Sequence, residues 1–381
     1  MNRKSLNQIF TAYIDKFRFL NEDPQCEGYK WYSVVQFKEA FDLDAPDFAA
    51  MLKKAKQSTY NIIDSYNQPF GGLVKIAEQS AEDAESVREL FRALLKDDGG
   101  NLTVRQEKIT TFLKGCDALV EKYYPGSFLY KNDQRSAMAY LFFNDPDNHY
   151  LYKATEANYL SDCVGFYDDW GAMSAFKLDI YHRFCDELIA EVRATPELLK
   201  TNESRYENAT KKLHADSNLH ILLFDIIYCS HTYNLYSGLS FDKVTTAERK
   251  LYQENKAKAQ ELLAAVQKAE SDLVQLQEAQ RYFNGLIASN IPVSHKAFGE
   301  LEVIAVKGEY LSVRVKKNGE TKNFMLLNAI ANGFLKIAAD DFEEKVAQFK
   351  TIMLREKDIS NSLNSAKKAF YPYVKYLDLD N

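Results

Sequence analysis

Acidic side chains in the middle of the sequence are the first residues whose types and spacing suggest chemistry. Asp168 and Asp169 are adjacent, and Asp162 lies shortly before them. A metal-dependent nuclease needs carboxylates that converge on divalent ions, with a lysine nearby. One nuclease pattern requires an acid where Leu151 stands, and the Glu-Thr-Lys run that begins at Glu320 has no matching Pro-Asp strand. We therefore assign no catalytic residue and no metal ligand, and a nuclease with a degenerate motif is the alternative hypothesis.

Other motifs for nucleotide, acyl or metal chemistry are missing from the sequence. It contains no phosphate-binding G-x-x-x-x-G-K-[ST] loop, no G-x-G-x-x-G turn and no G-x-S-x-G elbow. His182, His214, His220 and His231 lack the i, i+4 spacing of a helical zinc site. We expect no cofactor, and the sequence favours a binding protein over an enzyme.

The composition predicts a multidomain globular chain that lies in the cytoplasm. Of the 381 residues, 46% are hydrophobic and 27% are charged, which disfavours large-scale disorder. The five cysteines never form a C-x-x-C pair, as expected for reduced thiols. No signal peptide or bilayer-spanning stretch is predicted, so no membrane partner is expected. The net charge of -6 excludes a wholly basic nucleic-acid-binding chain but leaves room for a basic patch.

Helical patterns dominate residues 1–200, where we predict an α-rich recognition domain with short strands. Apolar residues recur at three- and four-residue steps from Ser5 to Leu20. Pro46 is suited to begin a further helix, and Ser80 is a candidate N-cap of another. The aromatic runs "SFLYK" at 127–131 and "HYLYK" at 149–153 are bounded by Asn, Asp and Pro, which predicts two strands that flank a helix at about 133–143.

The remaining sequence is predicted to form a helical hairpin that carries a small β barrel, so the whole fold is mainly α. Residues 201–290 are helical and end in a long helix, whose heptad seam has one polar break at Gln280 and needs a partner. A C-terminal helix within 339–381 has compatible spacing and is expected to pair with it antiparallel, while a homo-oligomer through the long helix is the competing arrangement. Between them, "EVIAV", "YLSVRV" and "TKNFML" predict a β module at 291–338.

Four short runs near the N-terminus occur in a characteristic order. They are Tyr-Lys-Trp at 29–31, D-x-D-A-x-D-F at 42–48, V-R-x-x-F at 87–91 and Tyr-x-Tyr-Lys at 150–153. Together they resemble the region that precedes the GTPase module of McrB-type restriction proteins, over residues 29 to about 190. The GTPase phosphate loop is absent, so the resemblance implies a front module that recognises DNA or a partner, without GTP hydrolysis.

A second characteristic run, V-S-H-K-A-F-G, opens the β module and is followed by Val303. It is similar to the start of the Tudor-like, SH3-like barrel at the C-terminus of UvrD and PcrA helicases. Leu301 stands where that pattern has a second glycine, which leaves the identity of the partner open. His295 of this run either contacts a partner or hydrogen-bonds the first turn of the module.

Basic and aromatic residues supply the candidate contacts. Seven basic residues stand against four acidic ones across 291–339, which suits phosphate or an acidic protein surface, although a solvated strand face is an equal alternative. Aromatic rings of the front module either stack on bases or fill the core.

We predict a non-catalytic DNA-binding or adaptor component of a bacterial restriction or phage-defence system, which binds DNA or a partner nuclease or motor protein. A scaffold that spaces two partners is a further hypothesis. The predicted contact residues are Lys307, Arg314, Lys316, Lys317, Lys322, His295, Trp31 and Arg135.

Overall fold

The computed structural model describes residues 1–22, 24–207 and 209–377 of the chain. The protein is mainly helical, at 65%, with one small antiparallel sheet of five strands. The chain divides into two compact units, Met1–Lys250 and Leu251–Asn381. In the described ranges, every helix is too short or too polar to cross a membrane.

Helices make up the regular structure of the first unit, and several begin at side-chain caps that the sequence provides. Ser80 accepts the backbone N–H of Asp83, and Asp133 forms a capping box with Ser136 at the helix that the sequence predicts over about 133–143. The helices are α1 (Arg3–Asn21), α2 (Tyr29–Ala40), α3 (Phe48–Thr59), α4 (Pro69–Ala77), α5 (Ala81–Leu95), α6 (Leu102–Tyr123), α7 (Gln134–Asn144), α8 (Ala154–Val164), α9 (Leu178–Arg193), α10 (Pro196–Glu207) and α11 (His220–Thr232), with a π-helical turn at Tyr60–Asp64 and a 3-10 turn at Met173–Ala175.

Helix α7 lies in the core of the first unit. All its residues from 136 to 143 are buried, as expected for a helix that is surrounded by others. Tyr140 contacts Phe70, Phe91 and Phe112 edge-on, with ring centroids 5.1, 5.1 and 5.7 Å away. Much of the aromatic content of the sequence therefore serves this core.

The prediction of short strands in the first domain is wrong, since the described residues of the first unit contain none. Residues 149–153 are irregular, and Tyr181 of α9 donates a hydrogen bond to the carbonyl oxygen of Leu151 at 2.6 Å. Residues 127–131 form a turn, in which the N–H of Lys131 reaches the carbonyl oxygen of Phe128. Tyr150 and Tyr152 instead pack against α9, whose side chains can satisfy an irregular backbone, whereas Phe128 of the other run is exposed.

The longest helix, α12 (Thr246–Ala288), leads into the sheet of the second unit. Its heptad stripe is largely buried at Val266, Ala269, Leu276, Phe283 and Ile287. The strands after it are β1 (Val293–His295), β2 (Gly299–Lys307), β3 (Tyr310–Val315), β4 (Thr321–Met325) and β5 (Leu335–Ile337), with a short helix, α13 (Leu326–Ala331), between the last two.

The sheet is antiparallel in the order β4-β3-β2-β1-β5, and it is curled. The runs that predict strands form β2, β3 and β4, and the turns between them use Gly308 and Gly319 at positive φ of 58° and 72°. The register shifts between Val303 and Ala305, and such a β-bulge bends a strand. One face, here called the inner face, packs Leu301, Leu311, Val313 and Val315 into the core of the unit.

The C-terminal segment folds back along α12 as two helices, where the sequence predicts one. They are α14 (Phe342–Leu354) and α15 (Glu356–Phe370), and a 3-10 turn follows at Tyr371–Tyr376. Asp272 pairs with Arg355 at 2.8 Å, and Glu270 pairs with Lys367 at 2.9 Å, so the partners run in opposite directions along the chain. The buried stripe of α12 thus has partners from its own chain.

Candidate functional site

Four aromatic side chains gather on the β module, and we call them the ring group: His295, Phe298, Phe324 and Phe334. The ring of His295 stacks on Phe298 and Phe324, with centroids 4.6 and 4.8 Å away, and Phe334 follows at 6.3 Å. His295 ends β1, and a tight turn returns Phe298 toward it, since the N–H of Phe298 donates to the carbonyl oxygen of His295 at 3.2 Å. Phe334 is exposed, and the other three rings are half-buried.

The ring of His295 is held in one tautomer by the same turn. The backbone N–H of Ala297 donates to Nδ1 of His295 at 3.0 Å, so Nδ1 is an acceptor and Nε2 carries the proton. Burial against the phenylalanines lowers the pKa of His295. At neutral pH the ring group is therefore uncharged, and His295 hydrogen-bonds the first turn of the module.

The strand register separates the predicted basic contacts between the two faces of the sheet. Lys322 pairs with Val313 and so lies on the inner face, where its ammonium is 5.6 Å from the centre of the Phe298 ring. Arg314 pairs with Glu302 on the other face, and their charged groups are 3.2 Å apart. These two residues therefore cannot belong to one flat patch.

Ion pairs further divide the basic residues of the module. Lys316 lies 2.9 Å from Glu300, and Lys322 lies 3.1 Å from Glu320. In contrast, Lys307 at the end of β2 and Lys317 in the turn before β4 are exposed, and no acid pairs with either among the described residues. Lys307 and Lys317 are thus the predicted contacts whose charges are fully available to a partner.

The sequence contains only a partial signal for the ring group. The spacing of Lys322 and Phe324 places both on one face of a strand, and His295 stands three residues before Phe298. Their meeting across β1 and β4 depends on the curl of the sheet, because these strands are not neighbours in it.

Trp31, a predicted contact of the front module, lies in the core of the first unit with 0% of its surface exposed. The guanidinium of Arg205 lies 3.8 Å from the centre of its indole ring, a close cation–π contact. The ring is therefore covered by other side chains of the unit. This agrees with the alternative that the aromatic rings of the front module fill the core.

Beside Trp31 lies a buried ionic cluster of Glu27, Lys30, Arg205 and Asp225. Lys30 donates to Glu27 at 2.6 Å and also to Asp225, and Arg205 lies 3.4 Å from Asp225. Tyr13 donates a further hydrogen bond to Asp225. The positive charges of Lys30 and Arg205 thus balance the negative charges of Glu27 and Asp225 inside the unit. A folded protein tolerates buried charges when they are paired in this way.

The same cluster contains a group of potential metal ligands, namely Glu27, Asp225 and Cys229, with ligand atoms within 4.8 Å of one another. Burial is the largest influence on Lys30 and opposes its charge, yet Asp225 and the other groups around the ammonium together outweigh it and hold the pKa of Lys30 above its ordinary value. Burial also raises the pKa of Cys229 and keeps its thiol protonated. A charged ammonium that already contacts both carboxylates makes this an ion-pair network rather than a metal centre.

Arg135, the other predicted contact of the front module, supports a loop. Its guanidinium donates to the carbonyl oxygens of Ile62 and Ile63 at 3.2 and 2.7 Å, and to the side-chain oxygen of Asn67 at 2.6 Å. These bonds fix the π-helical turn and the loop after it against α7. The role of Arg135 in the fold is therefore to position residues 60–68.

Two of the acids that suggest a nuclease, Asp162 and Asp168, are engaged in ion pairs. Asp162 pairs with the buried guanidinium of Arg249 and accepts the N–H of Val244 at 3.3 Å. Asp168 pairs with Arg183. The described residues show no convergence of these acids with Asp169 on one point that a divalent ion would occupy.

Three histidines meet around Tyr150 in the first unit. The rings of His182 and His220 lie 5.0 and 4.1 Å from its centroid, and Nδ1 of His220 is 3.0 Å from the carbonyl oxygen of His149. Burial lowers the pKa of His149 to about 4 and that of His182 to about 3. His149 and His182 are therefore neutral at pH 7.

No protein-family model, curated protein or solved structure matches the chain. The two resemblances of the sequence therefore stay expectations.

Proposed function

We propose that the protein is a non-catalytic recognition component that binds DNA through its β module. The observation that carries the proposal is the pair of exposed lysines, Lys307 and Lys317, which have no acidic partner among the described residues. When lysines of this kind contact phosphate, they displace the cations that are condensed on the DNA, which favours binding at low salt.

The ring group supplies a second candidate contact of the β module. Aromatic faces beside a lysine, as Phe298 lies beside Lys322, can pack on sugars or exposed bases and orient the duplex. We also propose that the curled sheet is an open form of the SH3/Tudor-like barrel. Its five antiparallel strands, its bulge in β2 and its short helix before β5 support this assignment.

The setting that we propose is a bacterial restriction or phage-defence system in the cytoplasm. The four N-terminal runs support it by their resemblance to McrB-type proteins, and the missing phosphate loop implies that a separate motor or nuclease performs the catalytic work. The engaged acids of the first unit give the nuclease alternative no support.

The test is fluorescence anisotropy with a labelled duplex at about 50 mM and about 200 mM salt. The double variant Lys307→Glu/Lys317→Glu should weaken binding and should reduce the salt slope by roughly 0.9 for each lost phosphate contact. Lys350→Glu/Lys357→Glu is the matched control, since both lysines are exposed on the helices of the same unit. If the wild-type protein binds neither plain nor methylated duplex at low salt, DNA is not the ligand and a protein partner takes its place.

A further inference from the structure

An unusually exposed pair of aromatic rings lies on the first unit. Tyr66 is 96% exposed and Phe128 is 83% exposed, and neither contributes to the core. Their loops run side by side, because the backbone N–H of Gln68 donates to the carbonyl oxygen of Leu129 at 2.6 Å. Large exposed rings that the fold brings together mark a surface used for binding.

Lysines are interleaved with the aromatic residues at this place. The ammonium of Lys56 lies 5.7 Å from the centre of the Tyr60 ring, and that of Lys75 lies 4.8 Å from the centre of the Tyr130 ring. Lys131 follows directly after Tyr130 and is exposed. The rings of Tyr60 and Tyr130 thus each lie close to a lysine ammonium.

Two adjacent glycines of α4 join these residues into one surface. A methyl group at Gly72 would lie 2.6 Å from Cβ of Tyr130, and one at Gly71 would lie 3.0 Å from the side chain of Lys56. The loop that carries Phe128 and the C-terminal end of α3 therefore both rest on the first turn of α4. We call the resulting set the aromatic–lysine surface, and it consists of Lys56, Tyr60, Tyr66, Lys75, Phe128, Tyr130 and Lys131.

The fold holds this surface in place rather than leaving it as a loose loop. Arg135 of the buried helix α7 binds the carbonyl oxygens of Ile62 and Ile63 and the side chain of Asn67. These hydrogen bonds fix the segment between Tyr60 and Tyr66 against α7. A backbone segment that is fixed beforehand loses little conformational entropy when a ligand binds.

The charge of the surface decides between classes of partner. The carboxylate of Asp64 is buried and lies 3.5 Å from Lys56, whereas Lys75 and Lys131 have no acidic partner among the described residues. The cores of protein–protein interfaces are depleted in lysine, so such interleaving disfavours a protein partner. Rings that alternate with cations match a single strand, whose bases stack on aromatic faces while phosphates meet the lysines.

We propose that the aromatic–lysine surface binds single-stranded nucleic acid, with bases stacked on Tyr66 and Phe128. This is a second binding surface, and it does not depend on the duplex binding proposed for the β module. The lysines contribute through phosphate contacts, so the affinity falls as the salt concentration rises.

Fluorescence anisotropy of the full-length protein with labelled oligo(dT) of about 15 nucleotides tests the proposal. The variant Tyr66→Ala/Phe128→Ala should bind about 5- to 150-fold more weakly for each stacked base that is lost. Both rings are exposed, so this variant keeps the core, and Tyr371→Ala, which removes an exposed ring of the second unit, is the control.

The lysine contribution is measured by the salt dependence. Lys75→Ala/Lys131→Ala should reduce the slope of log affinity against log salt by roughly 0.7 for each lysine, and Lys200→Ala of α10 should leave the slope unchanged. The proposal is overturned if oligo(dT) does not bind at about 50 mM salt, or if the ring variant binds it as well as the wild type does. Duplex binding that depends on Lys307 and Lys317 is scored separately, so either proposal can fail while the other stands.

Discussion

Replacing Lys30 by methionine is the sharpest test of the ionic cluster. The side chains of Lys30, Glu27 and Asp225 are 1%, 4% and 0% exposed, so the two carboxylates would be left inside the unit with only Arg205 to balance them. Removing one partner of a buried ion pair costs about 3 to 5 kcal/mol. With a urea m value of about 3 kcal/mol/M for a unit of this size, the unfolding midpoint should fall by about 1 to 2 M.

Tryptophan fluorescence is suited to this measurement, because both tryptophans of the chain, Trp31 and Trp170, lie in the first unit. Urea unfolding followed at this signal therefore reports on the unit that contains the cluster. Lys53→Met is the control, since Lys53 forms its ion pair with Glu78 on the surface and should leave the midpoint unchanged.

A second substitution separates the loss of charge balance from a general loss of packing. In Lys30→Met/Glu27→Gln, Asp225 and Arg205 remain as a balanced pair, and the glutamine can still accept the hydrogen bond from Tyr233. The double variant should therefore be about 1 to 3 kcal/mol more stable than the sum of the single effects predicts. Strictly additive effects, or a loss below about 1 kcal/mol for Lys30→Met, would refute the account of the cluster.

Three further predictions concern backbone, loop and pH. Gly171→Ala should lower the midpoint of urea unfolding by more than Gly99→Ala does. Both glycines have positive φ, but only at Gly171 would the added methyl group lie 2.3 Å from a backbone oxygen, that of Ala175. Equal effects of the two substitutions would contradict this. Arg135→Lys should destabilise the first unit by roughly 1 to 3 kcal/mol in the same assay, since lysine cannot reproduce the fork of hydrogen bonds to the 60–68 loop. The folded pKa of His182, about 3, lies below the ordinary value of 6.5, so the unfolded chain takes up its proton first as the pH falls. Stability should therefore decrease below pH 6.5 by about 1.4 kcal/mol per pH unit for this proton. In the His182→Phe variant the free energy of unfolding, measured by urea unfolding at several pH values, should decrease less as the pH falls. An unchanged pH dependence would exclude the assignment of this proton to His182.

Local sequence patterns determined much of the regular structure. Helix α7 begins after Asp133 because an aspartate with a serine three residues later can cap a helix, whatever surrounds it. The strands β2 to β4 follow from alternating residues between glycine turns, and α12 follows from its heptad stripe. These features depend on neighbours in the chain, so periodicity and capping residues are enough to predict them.

The surfaces were decided by tertiary structure. Lys322 and Arg314 look alike in the sequence, and only the register of β3 against its neighbours places them on opposite faces. Trp31 belongs to the core because Arg205, distant in the sequence, covers its ring. The aromatic–lysine surface likewise joins α3, α4 and the loop before α7, whose meeting no local pattern indicates. Periodicity specifies which side of an element is apolar, whereas contacts between distant side chains depend on how the elements pack together.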